Sequence, residues 1–206
     1  MRYTKYKLKE YLNKLSQPLV GIDEVGRGCL AGPVYAAAVI FKSEIDIKKY
    51  KDSKLTDQLG REKLATSIRN NHFYAIGIAS VDEIDQFNIL QATFLAMRRA
   101  VDLLAAQVDL SAAHLLIDGR DQIPNFDQYQ QSPIIQGDNQ VRLISAASLV
   151  AKVARDQFMM DLSKQFKNYG FEKHKGYGTK LHRECIQKFG PTKWHRQTFR
   201  GVREYI

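Results

Sequence analysis

The stretch "GIDEVGRGCLAGP", residues 21–33, decides the predicted fold. Within it, an apolar run ends at two adjacent carboxylates, Asp23 and Glu24. The flanking runs "PLVGID" and "PVYAAAVIF" are short, nearly continuously apolar and bounded by Gly and Pro, which is typical of strands buried on both faces. Consecutive side chains of a strand point to opposite faces. If both carboxylates serve one site, the strand must end or bulge there, and Gly26 favours such a break.

Outward from this stretch, helical and strand patterns alternate along the chain. Apolar residues at helical spacing predict four helices, over 57–71, 88–107, 141–166 and 180–190. Asn88 is the expected cap of the second helix. Short apolar runs predict strands over 73–80 and over 114–118. This alternation indicates an α/β layered fold. Because no repeat or Pro/Gly/Ser linker divides the sequence, we expect a single domain over 1–206.

Composition narrows the classes of partner. Lys and Arg number 31 against 22 Asp and Glu, and the resulting charge of +9 suits a polyanion such as nucleic acid. Cys29 and Cys185 are too few for a disulfide framework, so we expect small packing residues in a reducing compartment. The N-terminus is polar and no apolar run approaches ~18 residues. We therefore expect a cytoplasmic protein without a membrane partner, and a monomer by default.

Carboxylates at strand ends predict the chemistry. Asp23, Glu24 and Asp118 each end a predicted strand, where an α/β sheet offers a ligand site. Asp138 lies in a loop before the long helix and can reach the same edge. Four such carboxylates repel each other unless cations neutralise them, and hard oxygen ligands select Mg²⁺ or Mn²⁺. Two ions about 4 Å apart can drive in-line attack on a phosphodiester, which is nuclease chemistry.

The glycines around Arg27 suggest a reader of ribose. Gly26 and Gly28 have no Cβ, so the backbone there can approach a ligand closely or adopt positive φ. Exposed amides bind a phosphate or a hydroxyl, and Arg27 adds positive charge. An enzyme that distinguishes RNA from DNA must sense the 2′-hydroxyl, and this turn is suited to that task.

Four motifs, "GIDEVGRG", "LLIDG", "GDNQVRLISAASLVAKVARD" and "HKGYGT", together resemble ribonuclease HII over nearly the whole chain. The resemblance implies a ribonuclease H-like fold, a central mixed β-sheet flanked by helices. Residues about 1–165 would form the catalytic core and about 166–206 a helical wall of the cleft. It also implies a metal-dependent endonuclease that cuts RNA in RNA/DNA hybrids and single ribonucleotides embedded in duplex DNA. Cutting would occur 5′ to the ribonucleotide, with two Mn²⁺ or Mg²⁺ ions, leaving a 3′-hydroxyl and a 5′-phosphate.

Matched position by position, the resemblance assigns the metal-binding and catalytic roles to four carboxylates: Asp23, Glu24, Asp118 and Asp138. It assigns reading of the 2′-hydroxyl and adjoining phosphate to Gly26, Arg27 and Gly28. Tyr177 matches a tyrosine that stacks on the sugar following the ribonucleotide.

Further matches concern the backbone of the substrate. Phosphate contact or support of the site is the expected role of four residues: Ser53, Lys54, Lys152 and Arg155. Asp156 is expected to orient Arg155 or a lysine. The sequence departs from the family in having Gln136 where a lysine usually stands, and "LTDQLG" lacks a usual second lysine. Both changes bear on substrate affinity more than on chemistry.

Other interpretations remain open at this point. A nucleic-acid-binding module without catalysis would explain the basic charge, but it has no reason to hold four carboxylates against a polyanion. A resolvase or transposase of the same fold would lack the Gly-Arg-Gly turn and the tyrosine loop. Ribonuclease HIII usually carries an extra N-terminal domain, for which the start of this chain leaves no room. His174, His182 and His195 are expected in surface or hydrogen-bonding roles, and Trp194 in packing of the C-terminal wall.

Overall fold

The computed structural model of the protein describes residues 5–42, 50 and 57–206. Its strands are β1 (Leu19–Val25), β2 (Val34–Ile40), β3 (Phe73–Ala79), β4 (His114–Asp118) and β5 (Gln130–Ile134). They form one sheet in the order β3-β2-β1-β4-β5. β2 is antiparallel to β1 and β3, whereas β1, β4 and β5 run parallel. The predicted central mixed sheet is confirmed.

Local sequence explains every strand except β5, which forms one edge of the sheet. Every residue of β2 is buried, as the unbroken run "VYAAAVI" predicts for a strand covered on both faces. β5 has the sequence "QQSPI", which lacks an apolar run, and the sequence analysis misses it. Pairing with β4 makes this segment a strand. Its place at the edge of the sheet also tolerates Pro133, which has no amide hydrogen to donate.

β1 runs one residue beyond the carboxylate pair. Its pairing with β2 continues in register from Gly21 opposite Val39 to Val25 opposite Tyr35, without an extra residue. The chain then leaves the strand at Gly26, whose φ is +97°. The strand therefore neither ends nor bulges at the carboxylate pair, contrary to the expectation, and it ends one residue later, after Val25.

Helices cover both faces of the sheet. They are α1 (Lys5–Leu12), α2 (Gln58–Asn71), α3 (Val81–Ala105), α4 (Gly137–Gln140), α5 (Arg142–Gln165), α6 (Phe171–His174) and α7 (Lys180–Phe189). α3 packs on one face, where Ala96 and Met97 join a core with Ile22. α2 and α5 pack on the other face. α5 approaches β1 so closely that a Cβ on Gly21 would lie 2.3 Å from the backbone of Leu143.

The start of α3 differs from the prediction. The helix begins at Val81, where Ser80 and Glu83 form a capping box. Asn88 interrupts it with a φ of +68°, and its side chain accepts hydrogen bonds from the amides of Leu90 and Gln91. The predicted cap at Asn88 is confirmed, but a helical segment precedes it.

The C-terminal part is helical and closely packed. α7 begins after Thr179, whose hydroxyl accepts a hydrogen bond from the His182 amide. Trp194 packs edge to face on Phe158 with a centroid separation of 5.2 Å, which confirms its predicted packing role. Within the described ranges, no helix combines the length and apolar character needed to cross a membrane.

Candidate active site

Asp23 and Asp118 lie side by side at one edge of the sheet. β1 and β4 are parallel, with Ile22 opposite Ile117, so the next residue of each strand is a carboxylate at the same level. Side chains at the same level of neighbouring parallel strands share a face. For Asp23 and Asp118 this is the face covered by α5, because Ser148 of α5 hydrogen-bonds to Asp23. The sheet register therefore brings together two carboxylates 95 positions apart in the chain, numbered 23 and 118.

The environment of Asp23 opposes its ionised form. Its side chain is buried and only 5% exposed. Burial raises its pKa well above the ordinary value, and the charges of Glu24 and Asp118 raise it further. The Glu24 amide donates to Asp23 Oδ1 at 2.7 Å, which lowers the pKa but does not offset the burial. Asp23 therefore lies where a bound cation would be strongly favoured.

Glu24 leaves the opposite face of β1 yet belongs to the same charge cluster. Burial raises its pKa, and Asp118 adds to this effect, whereas the Arg27 guanidinium opposes it. Arg27 Nη1 lies 3.3 Å from Glu24 Oε1. Because Asp118 influences both Asp23 and Glu24, both reach the same edge even though their backbone positions face apart.

Asp118 also joins the predicted loop carboxylate to the strands. Its Oδ1 accepts hydrogen bonds from the amides of Gly137 and Asp138, at 2.6 and 3.4 Å. Gln136 precedes them in the left-handed conformation, with a φ of +56°. The structure thus anchors the start of α4, and Asp138 with it, against the end of β4. Gln136 shapes this turn through its backbone.

The donor set fits a hard divalent cation, although no compact ligand cluster is preassembled. Across the described ranges, no three His, Cys, Asp or Glu side chains already surround a common point. The four residues at this edge nonetheless offer carboxylate oxygens, which Mg²⁺ and Mn²⁺ prefer. Two of them have pKa values raised by burial, so binding a cation there would relieve an electrostatic cost.

The Gly-Arg-Gly turn has one glycine held by packing and one facing open space. A Cβ on Gly26 would lie 2.2 Å from Nε of Arg155, and its positive φ also disfavours any other residue. Nothing lies within 4 Å of the position a Cβ would take on Gly28. Packing therefore explains Gly26, whereas the bare side of Gly28 remains accessible to a ligand. Arg27 between them is exposed.

Two buried arginines hold the backbone of this turn. Arg155 is fully buried and donates to the carbonyls of Ala31, Pro33 and Lys175. Of the two expected roles of Arg155, phosphate contact and support of the site, its burial disfavours the first. The alternative role, support of the site, matches its contacts.

Arg196 is the second buried arginine, and the sequence analysis misses it. Its guanidinium donates to the carbonyls of Gly26, Arg27 and Gly32. Burial lowers its pKa to about 10, so it stays protonated at neutral pH. No local signal could have revealed this role, because Gly26 is 170 positions away.

Tyr177 lies beside the same turn. An isolated bridge pairs it with Cys29, and the Leu30 amide donates to the Gly176 carbonyl at 2.8 Å. The Tyr177 side chain is 42% exposed. The structure therefore brings the predicted tyrosine loop next to the predicted ribose-reading turn. Cys29 and Cys185 are both buried and unpaired, as expected for packing residues.

The remaining predicted residues have different outcomes. Lys152 forms an ion pair with Asp156, at 2.6 Å, which confirms that Asp156 orients a lysine. Ser53 and Lys54 lie outside the described residues. His174, His182 and His195 are all buried and hydrogen-bonded, so of the two predicted roles, surface or hydrogen bonding, the structure supports the second.

Comparison with solved structures defines the class of fold. A chain in the structure of the PCNA:RNase HII complex from Archaeoglobus fulgidus superposes with a TM-score of 0.73 at 23% identity, covering 89% of this chain and 96% of that one. Ribonuclease H2 from Pyrococcus horikoshii gives 0.71 at 21% identity, over 91% and 96% of the two chains. Bst-RNase HIII in complex with Mn²⁺ gives 0.70 at 17% identity, over 93% and 69%. The protein therefore has the ribonuclease H-like fold of these type 2 enzymes.

Sequence comparison identifies the family. The family model for ribonuclease HII matches residues 20–202. Ribonuclease HII of Pelagibacter ubique is 48% identical over 91% of this chain and 98% of its own length. The enzyme of Zymomonas mobilis is 44% identical over 95% and 90%. The chain belongs to the ribonuclease HII family, and it is a metal-dependent endoribonuclease of ribonuclease H type 2. These findings confirm the predicted resemblance, fold and enzyme class.

Proposed function

We propose that Asp23, Glu24, Asp118 and Asp138 hold two divalent cations, Mn²⁺ or Mg²⁺, and that this site cuts the strand containing ribonucleotides. The observation that carries the proposal is the burial of Asp23 beside Glu24 and Asp118, which keeps like charges together away from water. Such cations, when bound, would supply an activated water and stabilise the leaving oxygen of a phosphodiester. The four carboxylates would hold them, and the amides of Gly137 and Asp138 orient Asp118.

The proposed substrates are RNA/DNA hybrids and single ribonucleotides embedded in duplex DNA, cut 5′ to the ribonucleotide. The bare side of Gly28 lets a ribose approach the backbone, where amides can bind the 2′-hydroxyl. Arg27 is exposed beside it and adds positive charge for the adjoining phosphate. Tyr177 lies next to the turn, where it would contact the sugar that follows. Together these groups would read an RNA-to-DNA junction.

Contacts to the rest of the duplex are proposed for Lys152, Ser53 and Lys54. Residues about 166–206 are proposed to form one wall of the cleft within a single domain. We also expect the protein to act as a monomer, which light scattering coupled to gel filtration would check. The surplus of basic residues favours association with a nucleic-acid backbone, so binding should weaken as salt concentration rises.

The decisive experiment compares a DNA duplex containing one ribonucleotide with an all-DNA duplex, in Mg²⁺, Mn²⁺ or chelator. Wild type is assayed beside Asp118→Asn, which keeps the Oδ1 acceptor for the Gly137 amide but removes the charge. Asp161→Asn is the matched control, because it makes the same chemical change on the exposed surface of α5.

The expected result is metal-dependent incision 5′ of the ribonucleotide by wild type and Asp161→Asn. Asp118→Asn should lose at least ~10³-fold in rate while still binding the duplex, because the basic surface is unchanged. Equal cutting of the two duplexes would show that ribose is not read. Full activity of Asp118→Asn would remove that carboxylate from the mechanism.

A further inference from the structure

Three buried histidines lie directly beneath the Tyr177 loop. His174 and His182 stack with a ring separation of 4.2 Å and an interplanar angle of 17°. His182 and His195 are fully buried and meet edge to edge, with their Nε2 atoms 3.0 Å apart. None of the three approaches the carboxylate edge in the contacts described above. The three histidines therefore lie apart from the proposed metal site, and their packing can serve a purpose other than metal binding.

The hydrogen bonds determine the proton position on each ring. His182 Nδ1 lies 2.9 Å from the carbonyl oxygen of Tyr177, which can only accept, so Nδ1 carries the hydrogen. Nε2 of a neutral His182 is then an acceptor, and the facing Nε2 of His195 must donate to it. His195 Nδ1 is left as an acceptor. It receives the amide and hydroxyl hydrogens of Thr192, each at 2.9 Å.

These bonds form a chain with one direction. It runs from Thr192 through His195 and His182 to the carbonyl of Tyr177. Both rings must be neutral, since a charged ring would place two N–H donors face to face. Burial supports this, because it lowers the pKa of His182 to about 3 and that of His195 to about 4. His174 Nδ1 accepts a hydrogen bond from the amide of Gly176, the residue before Tyr177, and so fixes the position of Gly176.

We propose that His182 and His195 are positioning residues for Tyr177: their hydrogen-bonded chain couples Thr192 of the C-terminal part to the tyrosine loop and fixes Tyr177 against the ribose-reading turn. The inference deepens the proposed function and rests on the role given there to Tyr177. His195 also pairs through its backbone with Ala31, three residues beyond Gly28, so the chain is anchored in the segment that directly follows the turn. Loop and turn are thereby held as one unit.

Two substitutions of His195 separate hydrogen bonding from packing. In His195→Gln the side-chain amide can place an N–H near the position of Nε2 and continue to donate to His182. In His195→Asn the shorter amide can replace Nδ1 but cannot reach His182. Both variants lose the ring, so a role in packing alone predicts similar damage from the two. His195→Gln keeps the bond to His182 but gives up the acceptor for Thr192, and His195→Asn does the reverse. If the bond to His182 is the link that positions Tyr177, Gln rescues function and Asn does not.

The activity readout is the ratio of kcat/KM on a single-ribonucleotide duplex to kcat/KM on a long RNA/DNA hybrid. We expect this ratio to fall about 10-fold in His195→Asn, the scale set by one unmade buried hydrogen bond, and to stay within about 2-fold of wild type in His195→Gln. Long-hybrid cleavage should change little in either folded variant. Equal ratios in the two variants would overturn the positioning role.

A spectroscopic measurement tests the chain without using activity. Nitrogen-15 NMR of histidine-labelled protein at pH 7 should show His182 protonated at Nδ1 and His195 at Nε2, both neutral. The opposite tautomers, or a charged ring, would overturn the chain. Tyr177→Ala separates the proposed role of Tyr177 from that of the histidines. If this variant leaves the substrate ratio unchanged while the tautomers are as expected, the proposed role of Tyr177 fails and the positioning role falls with it.

Discussion

Acidification should destabilise this protein through its buried histidines. His182 and His195 are neutral in the folded state, with pKa values lowered by burial to about 3 and about 4, against 6.5 for an exposed ring. Between those values the unfolded chain binds protons that the folded chain excludes. Stability therefore falls as the pH drops below about 6.5, and this loss continues until the folded-state pKa is reached.

The size of the effect at pH 5 follows from these pKa values. At pH 5 the pH lies about 1.5 units below the pKa of each histidine in the unfolded chain, and each unit corresponds to about 1.4 kcal/mol of stability. The loss relative to pH 8 is about 2 kcal/mol for each histidine, or about 4 kcal/mol for the pair. For a chain of this size that corresponds to a fall in Tm of about 8–16 °C. His174 adds to the effect in the same direction, since burial also lowers its pKa.

Asp23 and Glu24 act in the opposite direction and must be separated from the histidines. Their pKa values are raised, so protonation at low pH stabilises the folded state. The assay is thermal or urea unfolding of wild type and His195→Gln at pH 8 and pH 5 in chelator. The change in unfolding free energy between pH 8 and pH 5 is then compared between the two proteins. The contribution of the carboxylates drops out because both proteins contain them, and the effect of altered packing drops out because it is present at both pH values.

His195→Gln should lose about 2 kcal/mol less than wild type between pH 8 and pH 5, because one buried titrating ring is gone. If the two proteins lose equal stability over this range, His195 is not a neutral buried ring with a lowered pKa. That result would refute the neutral state of the buried ring, and with it the tautomer assignment, which requires a neutral ring.

Three further predictions concern the carboxylate edge and the turn. Asp23→Asn should abolish cutting yet raise stability at pH 8 in chelator, because burial raises the pKa of Asp23 and disfavours its charge; the gain should be smaller at low pH, where protonation relieves the same cost. A variant that is destabilised in thermal unfolding at pH 8 would contradict this. Gly26→Ala should lower the free energy of unfolding in urea by about 2 kcal/mol or more, because its Cβ would clash with Arg155 at positive φ. Gly28→Ala should change stability by no more than about 0.5 kcal/mol but weaken ribonucleotide-dependent cleavage. Equal destabilisation by the two substitutions would contradict the open space at Gly28. Saturating Mn²⁺ or Mg²⁺ should raise the Tm of wild type and chelator should reverse it, with a smaller rise in Asp118→Asn; equal shifts in both proteins would place the bound ion elsewhere.

Local sequence was sufficient for the elements whose residues carry their own signal. The apolar runs of β1, β2 and β4 predict buried strands, and carboxylates fall near the ends of β1 and β4 because polar side chains leave the core there. Asn88 could be predicted as a cap because its short side chain bonds amides two and three positions away. β5 could not be predicted, because only its pairing with β4 orders a segment with little apolar pattern.

The sequence by itself therefore determined the family, the strands that carry the carboxylates and the identity of the charged groups, since these depend on residues close together in the chain. Only the tertiary structure decided what Arg155, Arg196 and His195 do. An arginine in sequence is equally suited to a phosphate or to a buried carbonyl, and a histidine equally to water or to a second ring. The choice depends on burial and on partners such as Gly32 and Arg196, 164 positions apart, which come together only when the chain has folded.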